Sequence, residues 1–295
     1  MKVFVLAPIH NRKETTLKFL RSFSNQTYSD YQVVIVDDGS TDGSGEAILL
    51  EFPQTVIIKG SGNLWWTGSM NKGVKYILSV AKEDDYVLAI NDDVTVKNDY
   101  IEKLVSISKK KNNAIVGSIY RDNQNDELIY DSGVKMNWKH YQYYQVPYKK
   151  NGQAMFDVDT LATRGSLISI SVIKKIGLFE TKLKHYAADY EYFFRAKKMG
   201  YRLLISYSAS VYGSEKDRTV SNDSRIQSFR NIWRRNFSIK SANNIRNHLF
   251  LIWNYCPSLA YKMKHSFLLI SYNAFLFANS VFLYPFKFLY RKATK

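Results

Sequence analysis

Strand-like and helix-like segments alternate through the N-terminal third of the chain, and this alternation limits the possible folds more than any other feature. Residues 2–8 (KVFVLAP) and 31–37 (YQVVIVD) are β-branched runs bounded by turn formers, and Leu17, Leu20 and Phe23 between them have helical spacing. A third run, Thr55 to Ile58, leads into the Gly-rich KGSGN, after which Met70, Val74, Ile77 and Leu78 share one helix face. A fourth, Tyr86 to Ile90, ends in Asn91-Asp92-Asp93. The pattern predicts an α/β fold with a mainly parallel sheet and helices on both faces. Ligands of such sheets bind beyond the carboxyl ends of the strands.

From 114 to 170 the pattern turns irregular and strand-like: Tyr130 to Val134, a Tyr-rich stretch at 141–148, and Leu167 to Ile170 after Arg164-Gly165. This predicts mixed strands and loops beside the first half. Helical spacing returns over 172–200, with Ile173 and Ile176 before Gly177, and Tyr190 to Met199 before Gly200.

Composition separates the chain into two parts. Of 295 residues, 45% are hydrophobic, enough for a substantial core. The net charge is +16, yet residues 224–295 hold twelve Lys or Arg and no Asp or Glu, while the first 223 residues are nearly balanced at 30 basic to 26 acidic. We therefore expect a catalytic domain over 1–215 and a basic, aromatic, helical extension over 216–295. A single cysteine, Cys256, excludes an internal disulfide and fits the reducing cytoplasm. The opening MKVFVLAPIHNR reads as a first strand and not as a signal peptide.

Acidic pairs stand at two strand ends, Asp37-Asp38 and Asp92-Asp93. Asp is common in turns and caps, so one pair alone says little. Two pairs at equivalent ends point to a ligand, and carboxylates in that position suit a hard cation, Mg2+ or Mn2+, held through oxygen.

Four segments together carry a resemblance: Ala7-Pro8-Ile9-His10-Asn11-Arg12, Val36-Asp37-Asp38-Gly39-Ser40-Thr41-Asp42, Gly62-Asn63-Leu64-Trp65-Trp66-Thr67-Gly68-Ser69-Met70-Asn71-Lys72-Gly73, and Asn91-Asp92-Asp93. In order and spacing the chain resembles family 2 glycosyltransferases of the GT-A fold, in particular rhamnosyltransferase-like members, over about residues 1–215. The resemblance implies a Rossmann-like mixed sheet flanked by helices, and inverting transfer of a sugar from a UDP- or dTDP-linked donor to an acceptor hydroxyl. Carried over by position, it implies that Pro8 and Asn11 line the nucleotide pocket and that Asp37 and Asp38 hold the base or ribose. Asp92 and Asp93 match the DxD motif, Asp93 as the direct metal ligand and Asp92 nearer the ribose and metal. Gly68 and Asn71 lie beside the donor, and of Trp65 and Trp66 one packs while the other, assigned as Trp66, walls the donor.

Inverting displacement requires a base for the acceptor hydroxyl. The segment Tyr186-Ala-Ala-Asp-Tyr-Glu-Tyr-Phe-Phe-Arg195 resembles the late acidic motif of the family, and Asp189 matches its base, with the nearby helix start expected to keep it ionised. Glu191 is expected to support Arg195, and Arg164 and Gly165 are candidates on the acceptor side. Two departures stand out. Ala188 occupies a position that is often acidic in the family. The segment Val211-Tyr212-Gly213-Ser214 also lacks the metal-supporting histidine, which leaves phosphate oxygens and water to complete the coordination. His10 reads as structural or as a pocket-edge residue.

Residues 265–286 contain no Lys, Arg, Asp or Glu, but Ser266, Asn273 and Ser280 recur at seven-residue spacing within them. This suits an interfacial or packed helix better than a membrane span. Flanking cations such as Arg230, Arg234, Lys262 and Lys264 predict attraction to anionic headgroups, placing the protein at the cytoplasmic face of a membrane. A basic stripe with aromatics also suits nucleic acid, but the upstream motifs favour a glycan or lipid-linked acceptor and argue against nucleic acid as a partner. A sugar-nucleotidyltransferase would show a Gly-rich basic loop where APIHNR stands, and a non-catalytic nucleotide-sugar-binding module would not need both Asp93 and Asp189. No P-loop, zinc spacing or Ser/His/Asp order is present.

Overall fold

The computed structural model describes residues 1–147, 155–214 and 228–282. These gather into two compact units, one of residues 1–136, 143–184 and 188–214, the other of 137–142, 185–187 and 228–282.

The first unit is built on a ten-stranded mixed sheet. Four parallel strands, β1 (Val3–Ile9), β2 (Tyr31–Asp37), β3 (Val56–Lys59) and β4 (Tyr86–Ala89), lie in the order β3-β2-β1-β4. Beyond β4 the sheet continues through β11 (Ser166–Ser169), β6 (Ile115–Asp122), β12 (Leu203–Gly213) and β10 (Met155–Asp157). The short β5 (Thr95–Val96) pairs with β12, and β7 (Ile129–Asp131) pairs with β6. The strands β8 (Val134–Asn137) and β9 (Gln142–Gln145) form a separate two-stranded sheet. The predicted irregular region thus supplies antiparallel strands to the same sheet. Of the Tyr-rich stretch, Tyr148 lies outside the described residues.

The unbroken apolar runs follow from burial on both faces. In β1, Val3, Val5, Ala7 and Ile9 enter one core while Phe4 and Leu6 enter the other, and in β2 Val33 and Ile35 oppose Val34 and Val36. The first core is covered by α1 (Lys13–Phe23) through Leu17, Phe19, Leu20 and Phe23, and by α4 (Tyr100–Lys110) through Ile101, Leu104 and Val105. The second is covered by α3 (Trp65–Val80), α5 (Ile170–Ile176) and α6 (Ala188–Lys198), with Met70, Val74, Ile173 and Phe193 pointing inward. α2 (Ser44–Glu51) buries only Ser44 and Ile48, which is why no periodic signal announced it.

The topology sets the position of the ligand edge. β1, β2 and β4 are parallel, so the segments after Ile9, Asp37 and Ala89 emerge together. β11 runs antiparallel to β4 with Ser166 opposite Ala89, which brings the segment before it, including Arg164 and Gly165, to the same edge. Gly165 has φ 97°, and its N–H donates to Ala89 O at 3.0 Å.

The second unit holds α7 (Phe229–Phe237), α8 (Ile245–Tyr255) and α9 (Leu259–Phe282). Within it the Tyr141 hydroxyl lies 2.9 Å from His248 Nδ1, and His265 Nε2 lies 2.8 Å from Trp138 O. Cys256 is buried just after α8. No described helix is long and apolar enough to cross a membrane.

Candidate active site

Two of the loops at the ligand edge are bound together before any ligand arrives. Asn11 adopts φ 52°, so its N–H reaches Ser40 Oγ at 2.9 Å while its side-chain oxygen accepts from Thr41 N–H at 2.7 Å. An asparagine tolerates this left-handed backbone better than most residues. Lys13 N–H donates to Asp42 Oδ2 at 3.0 Å, and His10 Nδ1 is 2.7 Å from Asp38 O. His10 thus ties the loops together. Pro8, half-buried, is the penultimate residue of β1, opposite Val36.

The two aspartates at the end of β2 have different surroundings. Asp38 uses both oxygens on backbone: Oδ1 accepts from Gly62 N–H at 2.8 Å, and Oδ2 from Leu64 and Trp65 N–H at 2.9 and 3.0 Å. It folds the Gly-rich segment and the start of α3. Asp37 is buried and accepts through Oδ1 from Ser40 N–H at 2.9 Å. Its Oδ2 makes no hydrogen bond among the described residues, so Asp37 is the better placed of the two for a ligand hydroxyl or base.

α3 carries the next group. Trp66 packs edge-on against Phe179 and donates its indole N–H to Asn91 Oδ1 at 3.2 Å, beside the Asp92-Asp93 pair. Asn71 is buried, and both ends of its amide are committed: it donates to Phe179 O at 2.9 Å and accepts from Phe179 N–H at 2.8 Å. Its amide therefore clamps the segment before α6. A Cβ at Gly68 would approach Leu64 Cβ at 3.1 Å, so the missing side chain relieves crowding within the first turn of α3.

Asp92 and Asp93 follow β4 at the centre of the edge. Asp92 is 3% exposed; its Oδ2 accepts from Thr16 Oγ1 at 2.9 Å and lies 3.4 Å from Arg12 Nε. Burial pushes its carboxyl up to about 6, with Asp93 adding to the rise and Arg12 opposing it. Asp93 Oδ2 is 3.6 Å from Arg12 Nη2, and Asp93 Oδ1 is buried with no partner among the described residues. A buried carboxylate oxygen without a donor is costly, and a divalent cation would satisfy it, so the pair fits Mg2+ or Mn2+. No group of three or more acidic, His or Cys side chains suited to a metal occurs among the described residues. The protein thus places two carboxylates, Asp92 and Asp93, at this point of the edge.

Asp189 lies in the first turn of α6, not before it, two residues after Ala187, whose φ is 69°. The residue is half-buried, and its Oδ1 accepts from Tyr190 N–H at 2.8 Å. Burial raises its carboxyl to about 6, which the Tyr190 N–H and then the nearby Arg164 charge only partly oppose. Desolvation thus outweighs the helix terminus, although a carboxyl at about 6 is still mainly ionised near neutral pH. Arg164 lies over the Tyr120 ring, 5.0 Å from its centroid. A Cβ at Gly165 would fall on the Tyr100 hydroxyl, so Gly165 serves packing behind the edge.

Glu191 and Arg195 form a two-pronged pair at 2.9 and 3.0 Å, with Glu191 3% exposed. The guanidinium also donates to Ile176 O and Leu178 O at 2.7 and 2.8 Å. The pair therefore fastens α6 to the end of α5, the supporting role expected for Glu191. A separate cavity of about 600 Å3, lined in part by Lys97, Arg121, Tyr207 and Tyr212, includes none of the predicted site residues.

Thr16 and Arg12 are the functional neighbours that sequence reasoning left without a role. Thr16 is 76 positions from Asp92, and nothing local marks it. Arg12 was visible in the APIHNR segment, but its reach to both aspartates depends on the edge geometry.

The chain is 29% identical over 133 residues to the glycosyltransferase GlyA of Streptococcus pneumoniae, covering 44% of this chain and 18% of that protein. It is 27% identical over 126 residues to an N-acetylglucosaminyl-diphospho-decaprenol L-rhamnosyltransferase of Mycobacterium tuberculosis, covering 40% of each. The chain thus spans less than half the length of these relatives. Among solved structures, GalNAc-T7 with UDP, GalNAc and Mn2+ superposes with a TM-score of 0.60 at 15% identity, covering 75% of this chain and 46% of that one. Residues 1–349 of Staphylococcus aureus TarS with UDP superpose with a TM-score of 0.56 at 16% identity, covering 89% and 68%. These likenesses establish the GT-A fold. The family model described as glycosyl transferase family 2 matches residues 4–170, more than half of the sequence, and the chain belongs to that family.

Proposed function

We propose that the chain is an inverting, cation-assisted glycosyltransferase that moves a hexosyl or deoxyhexosyl group from UDP or dTDP to an acceptor hydroxyl. Its acceptor is a glycan or lipid-linked glycan of surface-polysaccharide assembly, met at the cytoplasmic face of an anionic membrane. The observation that carries this reading is the buried, unpartnered Oδ1 of Asp93 beside Asp92 at the end of β4. In this reading Asp93 and Asp92 would hold Mg2+ or Mn2+, which would offset charge on the departing diphosphate. Pro8, Asn11 and Asp37 border the nucleotide, Asp38 shapes its loop, and Trp66 stands on the donor side.

Asp189 is the base. As the acceptor oxygen bonds to the anomeric carbon, its proton passes to the Asp189 carboxylate and the bond from that carbon to the diphosphate oxygen breaks, releasing UDP or dTDP. Single displacement inverts the anomeric centre. Arg164, next to this carboxylate, favours its ionised form before transfer and stands on the acceptor side. The acid-free basic stretch from 224 onward supports the membrane side of the reading. Both donors are carried because one similar structure was solved with UDP and one relative is named a rhamnosyltransferase.

The test is a donor panel scored by release of UDP or dTDP, with and without EDTA, in the wild type and in Asp189→Asn. We expect one nucleotide class to be turned over, EDTA to abolish turnover, and Asp189→Asn to bind donor by calorimetry while losing about 10²–10⁴-fold in transfer. Near-wild-type transfer by Asp189→Asn would move the base elsewhere, and undiminished turnover in EDTA would remove the cation from the reaction.

A further inference from the structure

Helix α9 is built with its polarity reversed. His265, Ser266, Asn273 and Ser280 are buried, and the seven-residue spacing of the last three sets them in one stripe. His265 bonds Trp138 O, but the polar atoms of the other three find little to bond with there. Asn273 Nδ2 and Ser280 Oγ turn back to their own helix, donating to Leu269 O and Phe277 O at 2.7 Å each, and Ser266 Oγ has no partner among the described residues. The outward arc is apolar instead. Leu259, Met263, Phe267, Ile270 and Val281, each between 51% and 70% exposed, lie on an arc of about 90° that borders the buried stripe at roughly 100° per residue, and Leu268 and Phe275 are exposed farther round.

A helix on a water-facing surface shows the opposite pattern. Small polar residues inward with large apolar residues outward is the arrangement of helices whose surroundings are hydrocarbon. The apolar surface extends onto α7: Phe229 and Trp233, each half-exposed, lie 5.5 and 6.3 Å from the Phe277 ring of α9. Cations accompany it, Arg230 and Arg234 on α7 and Lys264 on α9, in a stretch with no acidic residue from 224 onward. A second copy would bring the same cations face to face, whereas anionic headgroups would neutralise them. Exposed Trp and Tyr side chains suit the same boundary.

We propose that the α7–α9 surface seats in the headgroup and outer hydrocarbon layer of an anionic-lipid leaflet, with α9 lying along the surface. This deepens the membrane part of the proposed function and rests on that part alone, since no transfer chemistry enters it. It also specifies insertion of named apolar side chains, beyond attraction of charge.

The full chain is tested against phosphatidylcholine vesicles with and without phosphatidylglycerol, using sedimentation and quenching of tryptophan by brominated acyl chains. We expect binding to the anionic vesicles, quenching that falls in Trp233→Phe, and partition weakened by at least about ten-fold in the double variant Phe267→Ser/Ile270→Ser. Because both residues are exposed, the thermal melt of that variant should match the wild type. Arg230→Glu/Arg234→Glu should weaken binding to anionic vesicles only. Absence of vesicle binding, or binding unchanged in the Phe267/Ile270 variant, overturns the proposal. So does a sedimentation-velocity dimer that this variant dissociates while vesicle binding persists, because a second copy is then the occupant. Transfer measured with a soluble acceptor separates the two readings: vesicle binding without any transfer would sink the enzyme reading and leave this one intact.

Discussion

Arg12 and Asp93 face each other across 3.6 Å, Nη2 to Oδ2, while the other oxygen of Asp93 is buried with no partner among the described residues. The guanidinium also stands 3.4 Å from Asp92. One half-exposed guanidinium thus faces two carboxylates, and it leaves one buried oxygen without a partner among the described residues. Arg12 is 38% exposed, so it can turn outward at little cost when a stronger charge enters the site.

Asp93→Asn tests that arrangement. A neutral amide keeps the shape but coordinates a divalent cation poorly. Transfer should fall on the order of 100-fold or more, equivalent to about 3 kcal/mol of transition-state stabilisation. A second readout avoids dependence on turnover: Mn2+ together with UDP or dTDP should raise the melting temperature of the wild type and not of the variant. An equal shift in both proteins would place the cation elsewhere.

Glu191→Gln should affect stability rather than chemistry. The buried carboxylate holds Arg195, which in turn caps the carbonyls of Ile176 and Leu178. Losing the charge leaves Arg195 with its carbonyl contacts and some solvent, so the cost should be about 2 kcal/mol, below the figure for a fully buried pair. A urea melt should show a lower midpoint with an unchanged slope, and transfer below the melting temperature should change by less than about three-fold, roughly 0.6 kcal/mol. An Asp189-like loss of transfer would make Glu191 part of the reacting site.

How much of this was readable in advance depends on the range of the interaction. β1 to β4 were legible because each is buried on both faces and so becomes a continuous apolar run. The aspartates at β2 and β4 were legible as residues of the ligand edge because strand ends define where ligands go in such sheets. What they do was less legible. Asp38 and Asn71 looked like ligand contacts, but their polar atoms are used on the backbone of Gly62, Leu64, Trp65 and Phe179. Asn71 and Phe179 are 108 positions apart, so no spacing rule could have paired them. α9 shows the same limit. Its seven-residue polar stripe was visible, but only burial shows that the stripe faces inward.

Gly165→Ala probes the support behind the ligand edge. The position has φ 97°, where an L side chain is strained, and the added methyl would collide with the Tyr100 hydroxyl, itself bonded to Ser118 Oγ at 2.7 Å. Backbone strain and overpacking together should cost about 3 kcal/mol. The denaturation midpoint measures it, and a change within about 0.5 kcal/mol, the range of an ordinary surface substitution, would mean the edge yields more easily than its packing indicates.

The pH dependence of transfer should report Asp189. Its carboxyl is raised to about 6 because burial outweighs the Tyr190 N–H and Arg164. As the base it must be ionised, so transfer under subsaturating acceptor should fall about ten-fold per unit as pH drops below that value. Stability should move the other way. A folded-state value above the unfolded 3.8 means that the native chain binds more protons between those limits, so this group's contribution to stability falls as pH rises through the window and is recovered on acidification. Asp189→Asn carries no such proton. Compared with the wild type by urea melts across that range, the variant should be relatively more stable near neutral pH and lose that advantage as pH falls toward 4. A transfer profile flat to pH 5, with no change in the stability difference between the two proteins, would show that Asp189 is neither perturbed nor the base. A falling transfer profile without the stability signature would assign the titration to another group.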